Sequence, residues 1–254
     1  KEAHQNKKTI KKRTNRRLDK MKNYRILFMG TAPFAVPSLK KIVSSKDHSV
    51  SVYTSPAKKA NRGMKLSISP VAEFAEAENI EISSPPSISS SEEIKKLREM
   101  NLDMIIVVAY GLILPEEVIN LPKIGCFNVH ASLLPRWRGA APIQRAMIEG
   151  DQTTGVTIMK MDKGLDTGDI GLQKEIKIEQ QNYSELEKEL ANEGAELLIN
   201  FIDRLDGSIQ FAKQNDTQAC YAKKIQKQES LIDWTENAEK INRRINAYNP
   251  SPCA

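Results

Sequence analysis

Short, nearly uninterrupted apolar runs alternate along this chain with segments whose apolar residues recur every three or four positions. Tyr24–Met29 (apart from Arg25) and Met104–Ala109 read as strands covered on both faces, and Ser49–Thr54 and Cys126–His130 are two further short runs. Between them Pro37–Ser45, Pro70–Glu78, Ser91–Met100 and Pro142–Ile148 carry helical spacing. Pro37 suits a first helical turn, and Ser91 with the acids behind it makes an N-terminal signature. A turn at Gly111 and a short helix over Pro115–Ile119 follow the central run. Strands and helices in alternation predict an α/β protein: a Rossmann-like, doubly wound, mostly parallel sheet. Gly155–Met161 and Ile170–Ile178 then form a hairpin-like pair around a turn containing Asp166, and Ser184–Leu205 is a long amphipathic helix. From about Gln210 the pattern weakens into a linker.

Composition changes this picture in three places. No apolar run approaches the roughly 20 residues of a membrane helix, so no membrane association is expected. Cys126, Cys220 and Cys253 form no close pair, which argues against a disulfide framework or a zinc site and fits a reducing, cytoplasmic setting. The net charge of +6 is uneven: residues 1–20 hold nine Lys/Arg and two acids, and removing these from 38 and 32 leaves 29 basic and 30 acidic residues, a body at −1. Residues 1–20 are therefore set apart as a basic, disordered tail. They are expected to be non-native, with Met21 as the start; an RNA-binding arm or a transit peptide are the alternatives.

The residues with chemistry lie between Asn128 and Asp169. Asn128 and His130 stand two apart in an extended segment, so their side chains point to one side. Asp166 comes from a second turn, between Gly164 and Gly168. An amide, an imidazole and a carboxylate together can polarise a carbonyl and move a proton without a serine or cysteine nucleophile. The plainer readings are a structural histidine, an asparagine capping a turn and an Asx-turn before Gly168. The first strand is not followed by G-x-G-x-x-G, and no G-x-S-x-G occurs, so a dinucleotide cofactor and a hydrolase elbow are both disfavoured.

Several of these segments also resemble one family. Ser132-Leu133-Leu134-Pro135-Arg136-Trp137-Arg138-Gly139-Ala140-Ala141-Pro142-Ile143-Gln144, Gly155 through Asp169, and Arg25-Ile26-Leu27-Phe28-Met29-Gly30-Thr31 with Phe34-Ala35-Val36-Pro37-Ser38-Leu39 are similar to the bacterial methionyl-tRNA formyltransferases. The resemblance spans about Met21 to Ala254. It implies a formyltransferase-fold catalytic domain over 21–209, a linker over 210–225, and over 226–254 the truncated start of a small C-terminal β-barrel that binds tRNA.

The resemblance also implies 10-formyltetrahydrofolate as co-substrate, initiator methionyl-tRNA as partner, no metal and a monomer. Catalysis would fall to Asn128, His130 and Asp166. Folate would lie against Ser132, Leu133, Leu134, Pro135, Tyr110 and Gly111, although the segment from Tyr110 to Leu114 reads equally as plain core. tRNA would meet Arg62, Lys59, Lys65, Arg136 and Arg138. The sequence departs from the family at Asn61, where a glycine is usual, and at Thr31-Ala32-Pro33-Phe34. Two rivals stay open: another 10-formyltetrahydrofolate-dependent formyltransferase or hydrolase, and a tRNA-binding fragment with weak catalysis.

Overall fold

The computed structural model describes residues 23–60, 65–205 and 207–253; the basic tail and Arg62 lie outside them. Seven strands form one sheet in the order β10-β9-β7-β6-β1-β2-β5. Its elements are β1 (Arg25–Gly30), β2 (Ser49–Tyr53), β5 (Ile82–Ser83), β6 (Met104–Val108), β7 (Gly125–His130), β9 (Thr153–Lys160) and β10 (Ile170–Lys177). Five neighbours from β7 to β5 run parallel, while β9 is antiparallel to β7 and β10 to β9. The chain thus winds outward in both directions from β1, and the hairpin expected around Asp166 closes one edge.

The helices cover the two faces. α1 (Val36–Ser45) packs against the 21-residue α6 (Tyr183–Asp203) on one side. Here Phe28, Ile106, Phe127, Val129, Val156, Leu190 and Phe201 belong to one core. The N-terminus of α6 is fixed by a reciprocal box between Asn182 and Glu185. Gly194 lets this helix come close to the sheet: a Cβ there would lie 3.1 Å from Val129 and 3.2 Å from Val156. The opposite face is covered by α3 (Ser91–Glu99) and α4 (Glu116–Ile119), over Leu27, Met29, Ile105, Val107 and Cys126. α2 (Pro70–Ala77) lies near α1, and α5 (Pro142–Glu149) precedes β9.

Two small pairings are not visible in the sequence pattern. β3 (Lys58–Ala60) and β4 (Lys65–Ser67) pair antiparallel. β8 (Arg138–Gly139) pairs in parallel with β11 (Tyr221–Ala222), so the linker is woven into the main body rather than hanging beside it. Among the described residues 223–253 there is no strand; they hold a 3-10 turn at Lys227–Ser230 and α7 (Ala238–Tyr248), which packs on α5. Ala247 and Tyr248 bury the amphipathic face that this packing needs. No described helix is long and apolar enough to cross a membrane.

Candidate active site

Open parallel sheets present ligand sites at the carboxyl ends of their strands, and the chemistry collects there. Along β7 the side chains alternate. Phe127 and Val129 enter one core, Cys126 enters the other, and Asn128 and His130 follow Cys126 on its face. The strand is fixed on both sides, Asn128 standing opposite Val107 and Met159, and His130 opposite Thr157.

The structure brings Asn128, His130 and Asp166 together. Asn128 Nδ2 donates to Asp166 Oδ1 at 3.4 Å, and His130 Nδ1 stands 3.6 Å from Asp166 Oδ2. The His130 side chain is 6% exposed and that of Asp166 13%, so both are largely shielded from water. His130 Nε2 lies 2.8 Å from the Trp137 carbonyl. A carbonyl only accepts, so Nε2 carries the hydrogen, and in the neutral ring Nδ1 is a lone pair turned toward the carboxylate. That gap is a place for one proton. Asp166 Oδ2 also accepts from the Gly139 backbone N–H at 2.8 Å.

The surrounding backbone is bent to make this possible. Ala109, Trp137 and Asp166 hold φ of 45°, 64° and 54°, the left-handed region that is costly for residues with a Cβ. Gly139, at φ 118°, must be glycine for a second reason: a Cβ there would sit 2.9 Å from the Ala222 carbonyl oxygen. At Gly168 it would sit 1.7 Å from the Lys160 carbonyl oxygen.

The segment from Ser132 to Pro135 follows β7, and its polar groups are held from within. Thr157 Oγ1 donates to the Ser132 carbonyl at 2.6 Å and accepts from Leu134 N at 3.1 Å. Gln173 Nε2 donates to the Leu134 carbonyl at 2.9 Å, and Ser132 Oγ donates to the Arg136 carbonyl at 2.6 Å. In the neighbouring Tyr110–Leu114 segment, buried and exposed positions alternate. Tyr110 and Leu114 are buried in the core, and burial, then the Glu93 charge, pushes the Tyr110 phenol up to about 12. Ile113 is 90% exposed, and the space where a Cβ of Gly111 would point is empty.

The arginines separate as well. Arg136 is half-exposed, lies 4.5 Å above the Trp137 ring and is held by Asp151 through two bonds of 2.8 and 2.6 Å. Asp151 also accepts from the Trp137 indole N–H at 2.7 Å. Arg138, expected at a tRNA surface, is instead 2% exposed and donates to Gln214 at 3.0 Å and Asp216 at 2.7 Å. It lies on β8, a short strand that the pattern does not reveal and that turns the side chain inward. Lys59 and Lys65 fall on β3 and β4, with side chains outside the described ones, and Arg62 lies beyond the described residues.

Sequence reasoning missed Thr157, Gln173, Asp151, Gln214 and Asp216. Each acts across 14 to 78 residues of chain, and no local spacing announces such partners. Among the described residues no group of three or more His, Cys, Asp or Glu could hold a metal ion.

Comparison with known proteins agrees with this architecture. Residues 23–202 match the Formyl transferase family, and residues 224–254 match the Formyl transferase C-terminal domain. A methionyl-tRNA formyltransferase of Coxiella burnetii is 47% identical over 232 residues, covering 91% of this chain and 74% of that protein. One from Syntrophomonas wolfei is 46% identical over 233 residues with the same coverage. In fold, the chain is similar to a 4-N formyltransferase from Francisella tularensis, with a TM-score of 0.70 and 21% identity over 90% of this chain and 88% of that one. The chain belongs to the methionyl-tRNA formyltransferase family.

Proposed function

We propose that this chain transfers the formyl group of 10-formyltetrahydrofolate to the amino group of methionine on initiator tRNA, the step that prepares this tRNA to start translation. The observation that carries the reading is the meeting of Asn128, His130 and Asp166 at 3.4–3.6 Å, at the carboxyl end of β7, in a chain of this family. The folate co-substrate supplies the formyl carbon. The open space beyond Gly111 and the Ser132–Pro135 segment flank the ends of adjacent strands β6 and β7, where a flat ring and its tail can lie. Tyr110 and Leu134 give that region its apolar backing. Lys59 on β3, Lys65 on β4 and Arg62 between them in the sequence, together with Arg136, are the cations assigned to the tRNA backbone.

Each residue then has a task. The amine nitrogen must bond to the formyl carbon, that carbon must release the folate nitrogen, the amine must lose a proton and the released nitrogen must gain one. Asn128 has an amide N–H to aim at the formyl oxygen as negative charge builds on it. The gap between His130 Nδ1 and Asp166 Oδ2 takes the proton of the amine, held there by lone pairs on both sides, and returns it to the leaving nitrogen. The Trp137 carbonyl keeps the imidazole in the required tautomer throughout.

The test is an assay of formyl transfer with 10-formyltetrahydrofolate and methionyl initiator tRNA, with His130→Ala as control. Formyl-methionyl-tRNA made by the wild type and lost in the variant supports both substrate and site. Release of formate with no tRNA product would overturn the reading in favour of hydrolysis.

A further inference from the structure

The linker residue Gln214 reaches the reactive loop. Its side-chain amide N–H2 donates to the carbonyl of Asp166 at 2.8 Å and to that of Gly168 at 2.7 Å, across 48 and 46 residues of chain. Its own oxygen accepts from Arg138 Nε at 3.0 Å. Both N–H donors of the amide are thus spent on a single turn, while its oxygen is engaged by Arg138. Two carbonyl oxygens facing one point repel each other unless a donor stands between them, and here one nitrogen supplies both hydrogens. The turn so held is the one with Asp166 at φ 54°, a conformation that persists only where the surroundings determine it.

Two further ties fix the far side of Gln214. Arg138, buried beside the site, is anchored by Asp216 at 2.7 Å, and its backbone N–H donates to the Cys220 carbonyl at 2.9 Å. Next to it, the Gly139 N–H donates to the carboxylate of Asp166 itself. On the near side Ala212 exchanges backbone bonds of 2.8 and 2.9 Å with Ile170, the residue that leaves the turn. The linker therefore crosses the Asp166 turn with its ends tied down and one amide inserted into the turn.

We propose that Gln214 is a positioning residue for formyl transfer: its amide sets the placement of the Asp166 carboxylate against His130 and Asn128. The inference rests on the function proposed above. The bonds of Gln214 go to Arg138 and to the backbone of the turn, not to Asn128, His130 or the Asp166 carboxylate, so it acts through Asp166.

The experiment compares Gln214→Met and Gln214→Glu with the wild-type chain in the tRNA formylation assay, alongside thermal melts. Met keeps the length and loses every polar bond. Glu keeps an acceptor for Arg138 but turns a carboxylate toward two carbonyl oxygens. The expected result is a kcat lower by about 10- to 100-fold in both, as misplacement of a reacting group by about 1 Å produces, with KM for either substrate within about twofold. Because the effect passes through Asp166, Gln214→Met placed in an Asp166→Ala chain should cost less than about twofold more.

A role confined to stability would lower the melting temperature and leave kcat of the folded protein unchanged in both variants. That outcome, with the wild type active, overturns the positioning role alone. Full additivity with Asp166→Ala overturns it too. A wild-type chain that makes no formyl-methionyl-tRNA while His130→Ala changes nothing overturns the underlying function instead, and the positioning role with it.

Discussion

Strand β7 and the turn at Asp166 bring their side chains to the same point by different means. β7 is paired along both edges and buried on both faces, so Asn128 and His130 inherit their positions from the ladder and from Phe127, Val129 and Cys126 beneath them. Residues 162–165 of the turn are exposed, and polar ties do the work there. Asp162 Oδ1 accepts from Gly164 N at 2.9 Å and from Thr167 Oγ1 at 2.6 Å, Gly139 N reaches Asp166, and Gln214 clamps the turn from outside. One half of the site is therefore placed by packing, which is non-directional and collective, and the other by a few directional bonds. Damage to the packing beneath the first should appear as lost stability, and damage to the polar ties of the second, or to the chemical groups that either half presents, as lost rate.

The largest effect should come from the packed half. Phe127 is 1% exposed, with its ring 4.8 Å from that of Phe201 and 6.1 Å from that of Phe211. Phe127→Ala removes this filling and should cost about 3–5 kcal/mol, read as a fall in denaturant midpoint at constant slope. Next comes Asn128→Ala. Its side chain makes one long bond, to Asp166, so the melting temperature should hardly move, while loss of the oxyanion donor proposed above should lower kcat by about 10²–10³. A variant with lowered stability and normal kcat would place Asn128 with the packing residues and break the comparison.

Gly168→Ala probes the turn without removing a functional group. The added methyl must push against the Lys160 carbonyl oxygen, a backbone atom of β9 that cannot give way easily. The turn has to move instead, and Asp166 with it. The expected loss is about 10-fold in kcat, or about 1.4 kcal/mol in the barrier, measured under saturating substrates. An unchanged kcat would show that the turn tolerates displacement, and would weaken the view that polar ties set its geometry.

The same division explains what could be read from the chain. Six of the sheet's seven strands follow from runs such as Met104–Val108, wholly buried, and from the pair now seen as β9 and β10 around the Asp166 turn, while the two-residue β5 gives no such signal. The juxtaposition of Asn128 with His130 is a consequence of strand period alone. Their meeting with Asp166 was carried by resemblance, because nothing in the spacing brings a turn 36 residues away back to β7. β8, β11 and Gln214 were illegible for a related reason: two-residue strands have no period, and a glutamine in a polar linker looks like any solvated residue. Arg138 shows the cost of this, since an arginine between a tryptophan and a glycine reads as a surface cation until its burial and its bonds to Gln214 and Asp216 are seen.

The smallest expected effect concerns the attachment of the segment after the linker. Arg145 on α5 donates to both oxygens of Glu229, at 2.6 and 3.0 Å, and to the Lys223 carbonyl at 3.0 Å. The bond from Arg145 holds the Glu229 carboxyl below the usual glutamate range, helped by the backbone N–H of Gln226. A carboxyl depressed in the folded state stabilises above its unfolded value, near pH 4.3, and that contribution disappears as pH falls through the folded value. Glu229→Gln should therefore cost about 1 kcal/mol at neutral pH, since the pair is partly exposed. The gap between the wild-type and variant midpoints should stay constant down to about pH 5 and close below about pH 4. Asp103, whose carboxyl is likewise depressed by the Arg25 N–H and Lys123, remains in both chains and cancels in the difference. A gap that persisted at pH 3 would mean that Glu229 stabilises through shape rather than charge, and the segment from Lys223 to Tyr248 would then belong with the packed half of the molecule.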